Sequence, residues 1–277
     1  MQSNGFPPVV DAAWVAAHMD SVVVADVRWY LDGRSGAAAF RAGRIPGAVF
    51  VDLERWLSGT GSPGAGRHPL PDPAVFAEGM CRAGISDGDT VVAYDDAGGV
   101  IAARLVWMLR ATGHGAALLD GGIGAWVGPL GAGDVRAIPG VFRARPWPQD
   151  RLASIDEVAA RGALVLDARD RSRYRGQGDS VDARSGHIPG AVSLPCRENL
   201  DSSGRFLAVP ELSRRFEELG ITPATPVISS CGSGVTACHN LLALELVGLG
   251  FGRLFPGSWS QWSNDPSRPV AVGDQPG

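Results

Sequence analysis

The stretch Gly186-His187-Ile188-Pro189-Gly190-Ala191-Val192 echoes one that lies 143 residues earlier, Gly43-Arg44-Ile45-Pro46-Gly47-Ala48-Val49. Taken singly, Gly-x-Ile-Pro-Gly is a turn with an apolar flank. The two copies have company. Upstream, Val22-Val23-Val24-Ala25 ends in Asp26-Val27-Arg28, and Ala163-Leu164-Val165-Leu166 ends in Asp167-Ala168-Arg169. Downstream, Gly99-Val100 matches Gly234-Val235, and Gly121 and Trp126 match Gly257 and Trp262. Four landmarks in one order, at offsets of 135 to 143 residues, mean a duplicated domain and not a short-period solenoid. Between the copies, Pro129, Pro139, Pro146 and Pro148 lie among several glycines, a composition that suits a linker. The expected division is a domain over 1–135, a linker over 136–149 and a domain over 150–277.

Each copy alternates short apolar runs with amphipathic stretches. Val91-Val92-Ala93-Tyr94 and Val227-Ile228-Ser229-Ser230 read as buried parallel strands. Val100–Thr112 and Val235–Leu249 read as helices. Strand–loop–helix alternation predicts an α/β fold, two tandem domains each with a parallel sheet flanked by helices.

Composition narrows the classes of function. Of 277 residues, 45% are hydrophobic and 19% charged, as in a globular protein. A formal net charge of −4 argues against nucleic acid and against an anionic membrane surface. Lysine is absent, so all 25 basic residues are arginine, and an anion site must use arginine, backbone N–H groups or histidine. Met1–Asp20 lacks the basic start and apolar core of a signal peptide. Leu241–Phe251 is too short to cross a bilayer and is broken by Glu245. The four cysteines form no C-x-x-C pair, and the chain reads as cytoplasmic with reduced thiols.

The sharpest local feature is Cys231-Gly232-Ser233-Gly234-Val235-Thr236-Ala237. It joins a strand ending at Ser230 to a helix beginning near Val235. Ligands of parallel sheets bind beyond such strand ends. Two glycines let the backbone curl so that successive N–H groups converge on one sulfur or anion. The helix adds its positive end. Both effects favour thiolate over thiol at Cys231. Cys81, Cys196 and Cys238 have no such setting and read as small buried hydrophobes.

This ordered set resembles the tandem rhodanese-domain sulfurtransferases, the family of thiosulfate and 3-mercaptopyruvate sulfurtransferases. The likeness covers nearly the whole chain and includes Gly257-Ser258-Trp259-Ser260-Gln261-Trp262. It implies a catalytic second domain, a silent first one and a persulfide on Cys231. Aligning Gly99 with Gly234 sets Asp96 opposite Cys231, and a carboxylate cannot accept sulfane sulfur. Thiosulfate-preferring members carry cations inside the loop. Gly232 and Ser233 are neutral here, which resembles the mercaptopyruvate type. Ser233 is placed to relay a proton as the enolate forms, and the amides of Gly232, Gly234, Val235 and Thr236 to stabilise charge. Arg173 matches the family's substrate arginine. A second arginine is sought at Arg184, with Arg175 as a neighbouring alternative. His68 matches a family histidine that faces the site, with Asp52 or Glu54 as its acidic neighbour. His187 reads as structural. Pro256 stands where many relatives have Asp.

The expected activity is ping-pong transfer from 3-mercaptopyruvate to a thiol or cyanide, with thioredoxin or another dithiol as a suitable acceptor. No metal and no organic cofactor is called for. Thiosulfate:cyanide transfer by the same route is the alternative, and a non-catalytic binding module a more distant one. Cysteine phosphatases of related fold use Cys-x5-Arg, whereas Ala237 stands six residues after Cys231. Gly121, Gly122 and Gly124 lack dinucleotide spacing and read as a turn.

Overall fold

The computed structural model describes residues 5–178 and 181–277. Residues 1–4, which open the Met1–Asp20 segment, lie outside the described residues. The chain forms two compact units, and neither is continuous in sequence. The first holds the residues up to Gly59, Pro71–Trp147 and Asp201–Phe206; the second holds Thr60–Leu70, Pro148–Leu200 and Leu207–Gly277.

In the first unit, β1 (Val9–Val10), β2 (Val23–Asp26), β3 (Val49–Phe50), β4 (Val91–Tyr94) and β5 (Ala116–Leu119) form a parallel sheet in the order β1-β5-β4-β2-β3. The second unit repeats this order with β6 (Leu164–Asp167), β7 (Val192–Ser193), β8 (Val227–Ser230) and β9 (Arg253–Leu254), arranged β7-β6-β8-β9. A single parallel bridge from Leu152 to Leu254 stands where the first unit has β1. The central strands β4 and β8 are buried along their whole length, as expected of apolar runs covered on both faces. The expected helices form as Ala103–Ala111 and Ala237–Leu246. Each starts two or three residues later than the pattern predicts. The preceding residues make the turn, with Gly98, Gly99 and Gly234 at positive φ.

Both units carry one internal clasp. Asp26 and Asp167 end the strands β2 and β6. Arg28 Nη2 meets Asp26 Oδ2 at 2.6 Å, and Arg169 Nη2 meets Asp167 Oδ2 at 2.7 Å. The same nitrogens donate onward to the Gly43 carbonyl at 2.6 Å and the Gly186 carbonyl at 2.8 Å, where the two Gly-x-Ile-Pro-Gly turns begin. The repeated Asp-x-Arg and Gly-x-Ile-Pro-Gly marks are thus two ends of one contact. In the second turn, His187 is fully buried and stacks on Tyr174, with ring centroids 3.7 Å apart.

Strand register corrects the pairing of the two loops. Ala168 donates to the Ser230 carbonyl and Val27 to the Tyr94 carbonyl, so Tyr94 corresponds to Ser230. The residue that corresponds to Cys231 is therefore Asp95, not Asp96. The first loop is one residue longer, which misaligns any match made on its glycine. Asp95 is fully buried and accepts four backbone N–H bonds, from Ala97 and Gly99 at 2.8 and 2.7 Å and from Ile101 and Ala102 at 2.8 and 2.9 Å. Burial holds its carboxyl above the usual carboxylate range, against the opposing pull of the four donors. Asp96 instead accepts from Tyr30 at 2.6 Å.

The linker expected over 136–149 is also corrected, because Phe142, Trp147 and the backbone at Gly140 pack on the first unit, while Ile138 and Val141 stay exposed. Residues up to Trp147 belong to the first unit. Phe142 packs edge-on against Phe76, Gly140 donates to the Cys81 carbonyl at 2.8 Å, and Trp147 donates to the Pro71 carbonyl at 2.8 Å. Among the described residues, no helix is long and apolar enough to cross a membrane.

The clasp is the point at which the second unit is easiest to break. Asp167→Ala leaves a buried guanidinium without its counter-ion, at a cost of about 3–5 kcal/mol. Urea unfolding followed by tryptophan fluorescence is expected to shift to a clearly lower midpoint.

Candidate active site

Cys231 follows β8 at the middle of the second sheet, and its residue is 2% exposed. The Gly234 N–H donates to Cys231 Sγ at 3.1 Å. Gly234 sits at φ +78, and a Cβ there would fall 2.4 Å from the Pro256 carbonyl oxygen, so glycine is required twice over. The loop curls tightly enough to aim an amide at the sulfur.

A second turn, residues 257–262, holds the loop from below. Ser258 Oγ accepts the Cys231 N–H at 3.0 Å and donates to the Phe255 carbonyl at 2.8 Å. Trp259 N–H donates to the Cys231 carbonyl at 3.0 Å, and Ser260 N–H to the Gly232 carbonyl at 2.9 Å. Ser258 adopts φ +52, a left-handed conformation that costs of order 1–3 kcal/mol in a residue with a side chain. The first unit has Gly122 at the corresponding place, at φ +57. Serine stands at 258 despite the strain, and its hydroxyl ties the turn to the Cys231 N–H.

The same turn positions the segment Thr60–Leu70. Arg67 N–H donates to Ser260 Oγ at 3.0 Å, and Gln261 donates to the Gly64 carbonyl at 2.7 Å. Two side chains reach the Cys231 loop by this route. His68 Nδ1 lies 2.8 Å from Ser233 Oγ, within hydrogen-bond reach. The Arg67 guanidinium lies over Gly232, where a Cβ would stand 2.8 Å from Arg67 Nη2 and 3.4 Å from Arg173 Nη2. Both guanidiniums bind Asp182, Arg173 at 2.7 Å and Arg67 at closer range.

Arg173, His68, Ser233, Gly232 and Gly234 are therefore gathered around the Cys231 loop. Arg67 was not anticipated: nothing local to Gly66-Arg67-His68 distinguishes it from a surface arginine. Arg184 requires correction as a substrate arginine. Its guanidinium donates to the carbonyls of Ser263, Arg268, Trp262 and Asp265 at 2.6–3.0 Å. It fastens the end of the helix Ser258–Trp262. Arg175 pairs with Asp274. Asp52 caps the helix Leu53–Trp56, and Glu54 accepts from Trp29 at 3.1 Å. Val235 and Thr236 complete the turn that leads into the helix Ala237–Leu246.

The other thiols are held apart from this chemistry. Burial pushes the Cys196 thiol up to about 12, and the nearby Cys231 adds to that shift. Cys238 donates to the Gly234 carbonyl at 3.4 Å, and Cys81 to the Phe142 carbonyl at 3.5 Å. Among the described residues, no group of three or more His, Cys, Asp or Glu side chains is placed to hold a metal ion.

Comparison with known proteins agrees with this architecture. The Rhodanese-like domain family matches residues 11–128 and again 150–265. A Pseudomonas aeruginosa protein named as a probable 3-mercaptopyruvate sulfurtransferase is 43% identical, with 91% of this chain and 93% of the relative covered. SseB of Mycobacterium tuberculosis, provisionally named a thiosulfate sulfurtransferase, is 41% identical, with 99% of each chain covered. The crystal structure of Escherichia coli SseA, a 3-mercaptopyruvate sulfotransferase by its description, is 33% identical at a TM-score of 0.81, with 92% of this chain and 99% of that one covered. Two matched domains, a shared parallel-sheet order and a cysteine loop in the second copy make this chain a member of the rhodanese-like family, built as a tandem pair.

Proposed function

We propose that this chain transfers sulfane sulfur from 3-mercaptopyruvate to a thiol or cyanide through a persulfide on Cys231. The chain is a sulfurtransferase. The observation that carries the donor assignment is the Ser233–His68 contact at 2.8 Å beside the loop. Loss of sulfur from mercaptopyruvate creates an enolate that needs a proton, whereas sulfite leaves thiosulfate without one.

Cys231 thiolate attacks the donor sulfur and forms an S–S bond. The carbon–sulfur bond breaks, and its electron pair becomes the enolate of pyruvate. Ser233, backed by His68, supplies the proton to that enolate. Arg173 holds the donor carboxylate. The Gly234 N–H that meets Cys231 Sγ stabilises negative charge on the sulfur. An acceptor thiolate then attacks the outer sulfur of the persulfide and restores the Cys231 thiolate. A dithiol such as thioredoxin suits this step, because its second thiol releases hydrosulfide as a disulfide forms. The four free cysteines support a reducing, cytoplasmic setting. Thiosulfate is the second reading: two guanidiniums over Gly232 suit an anion, and SseB carries that activity in its name.

Three measurements test this. Incubation with 3-mercaptopyruvate and removal of the excess is expected to leave an intact protein one sulfur atom heavier, with the added mass on Cys231 and none on Cys231→Ser; an unchanged mass overturns the mechanism. Ser233→Ala is expected to lower kcat for mercaptopyruvate by about 100-fold and to spare thiosulfate by comparison. An equal loss for both donors removes the proton-relay role. Ser258→Ala is expected to lower kcat for both donors alike, by about tenfold for one positioning hydrogen bond of 1.4 kcal/mol, with little change in either KM.

A further inference from the structure

The carboxylate of Asp182 has no part in the chemistry above, yet it lies against both cations of the site. Its side chain is 1% exposed, while those of Arg67 and Arg173 are 30% and 24% exposed. It bridges the two guanidiniums directly beside Gly232. The loop residues themselves are neutral. Among the described residues, the charges that converge beside Gly232 are those of two arginines and one aspartate, one net positive charge. Mercaptopyruvate presents one carboxylate charge and thiosulfate presents two.

The geometry points to Asp182 as a built-in counter-charge that tunes the site for a monoanionic donor, with Arg67 as the second anion-binding arginine. The inference rests on the donor reading given above and deepens it. Arg67 reaches the loop from a segment more than a hundred residues earlier, and Ser260 fixes its backbone. Arg173 arrives from the helix Arg171–Tyr174. Asp182 holds both forks in place over Gly232, so it positions them as well as cancelling half of their charge. Glycine at 232 is part of the same arrangement, since any side chain there would strike the Arg67 guanidinium. At distances of a few ångströms in a partly buried site, one unit of charge is a large term. It acts more strongly on a dianion than on a monoanion.

The test is a charge cycle on the full chain: wild type, Asp182→Asn, Arg67→Gln and the double variant, each assayed for kcat/KM with 3-mercaptopyruvate and with thiosulfate. Asp182→Asn is expected to move the thiosulfate-to-mercaptopyruvate ratio up by roughly tenfold. Arg67→Gln is expected to move it down. The double variant restores the charge count and is expected to return the ratio to within a few-fold of wild type. Added salt is expected to narrow all of these differences. A merely structural role would lower both donors together and leave the ratio unmoved, and that result overturns the inference. So does a shift in the same direction from both single variants. If Asp182→Asn does not fold, Arg67→Gln and the double variant still give the sign. The donor reading fails separately: it falls if wild type turns over thiosulfate and not mercaptopyruvate, and the charge inference is then read from thiosulfate alone, as a rise in Asp182→Asn and a fall in Arg67→Gln.

Discussion

The buried Asp–Arg clasp is the contact on which each unit depends. It joins a strand end to the turn that leads into the next strand, by way of one guanidinium that donates to both. Such a pair adds little net stability relative to an apolar core of the same shape. Its value lies in geometry, because a bidentate fork accepts one arrangement of its partners. In the second unit the Arg169 guanidinium also lies over the Trp259 ring, 4.8 Å from its centroid. Trp259 holds the Cys231 carbonyl through its backbone and the Arg184 carbonyl through its indole N–H. A continuous run of contacts thus leads from the strand end to the Cys231 loop.

The turn at 257–262 is the other fixed point. It binds the loop through Ser258, Trp259 and Ser260, and binds the Arg67 segment through Ser260 and Gln261. The same short element sets the cysteine, the serine–histidine pair and the second arginine. Strain at Ser258 is understandable in that position. A relaxed glycine, as at Gly122, would form the turn and leave the Cys231 N–H without its partner. Around Cys231, the protein trades a little local stability for a loop that does not wander.

Much of this was legible in the sequence, and the omissions have physical causes. The duplication, the parallel α/β class and the Cys231 loop depend on local patterns and were read directly. Ser233, Arg173 and His68 were reached through resemblance, and the structure brings all three to the loop. Arg67 was missed because its role is created by contacts far along the chain. Arg184 was misread because a guanidinium that satisfies four carbonyls looks, in sequence, like any other arginine in a loop. Asp96 was chosen in place of Asp95 because glycine matching ignores a one-residue difference in loop length, which only strand register exposes. Asp95 differs from Cys231 in more than lacking a thiol, since its carboxyl group itself fills the ring of loop amides.

The interleaving of the two units bears on how the chain must be made. The second unit includes Thr60–Leu70, and the first includes Asp201–Phe206. A ribosome delivers the chain from one end, and domains generally fold as they emerge. Here the first unit waits for a segment synthesised after the first two strands of the second sheet, and the second unit needs one synthesised before its own first strand. The segment that carries Arg67 and His68 must stay available until its turn has been translated. An excised C-terminal half would contain Cys231 and lack both of these side chains. The second unit draws on the entire polypeptide, even though its sheet belongs to one half of the sequence.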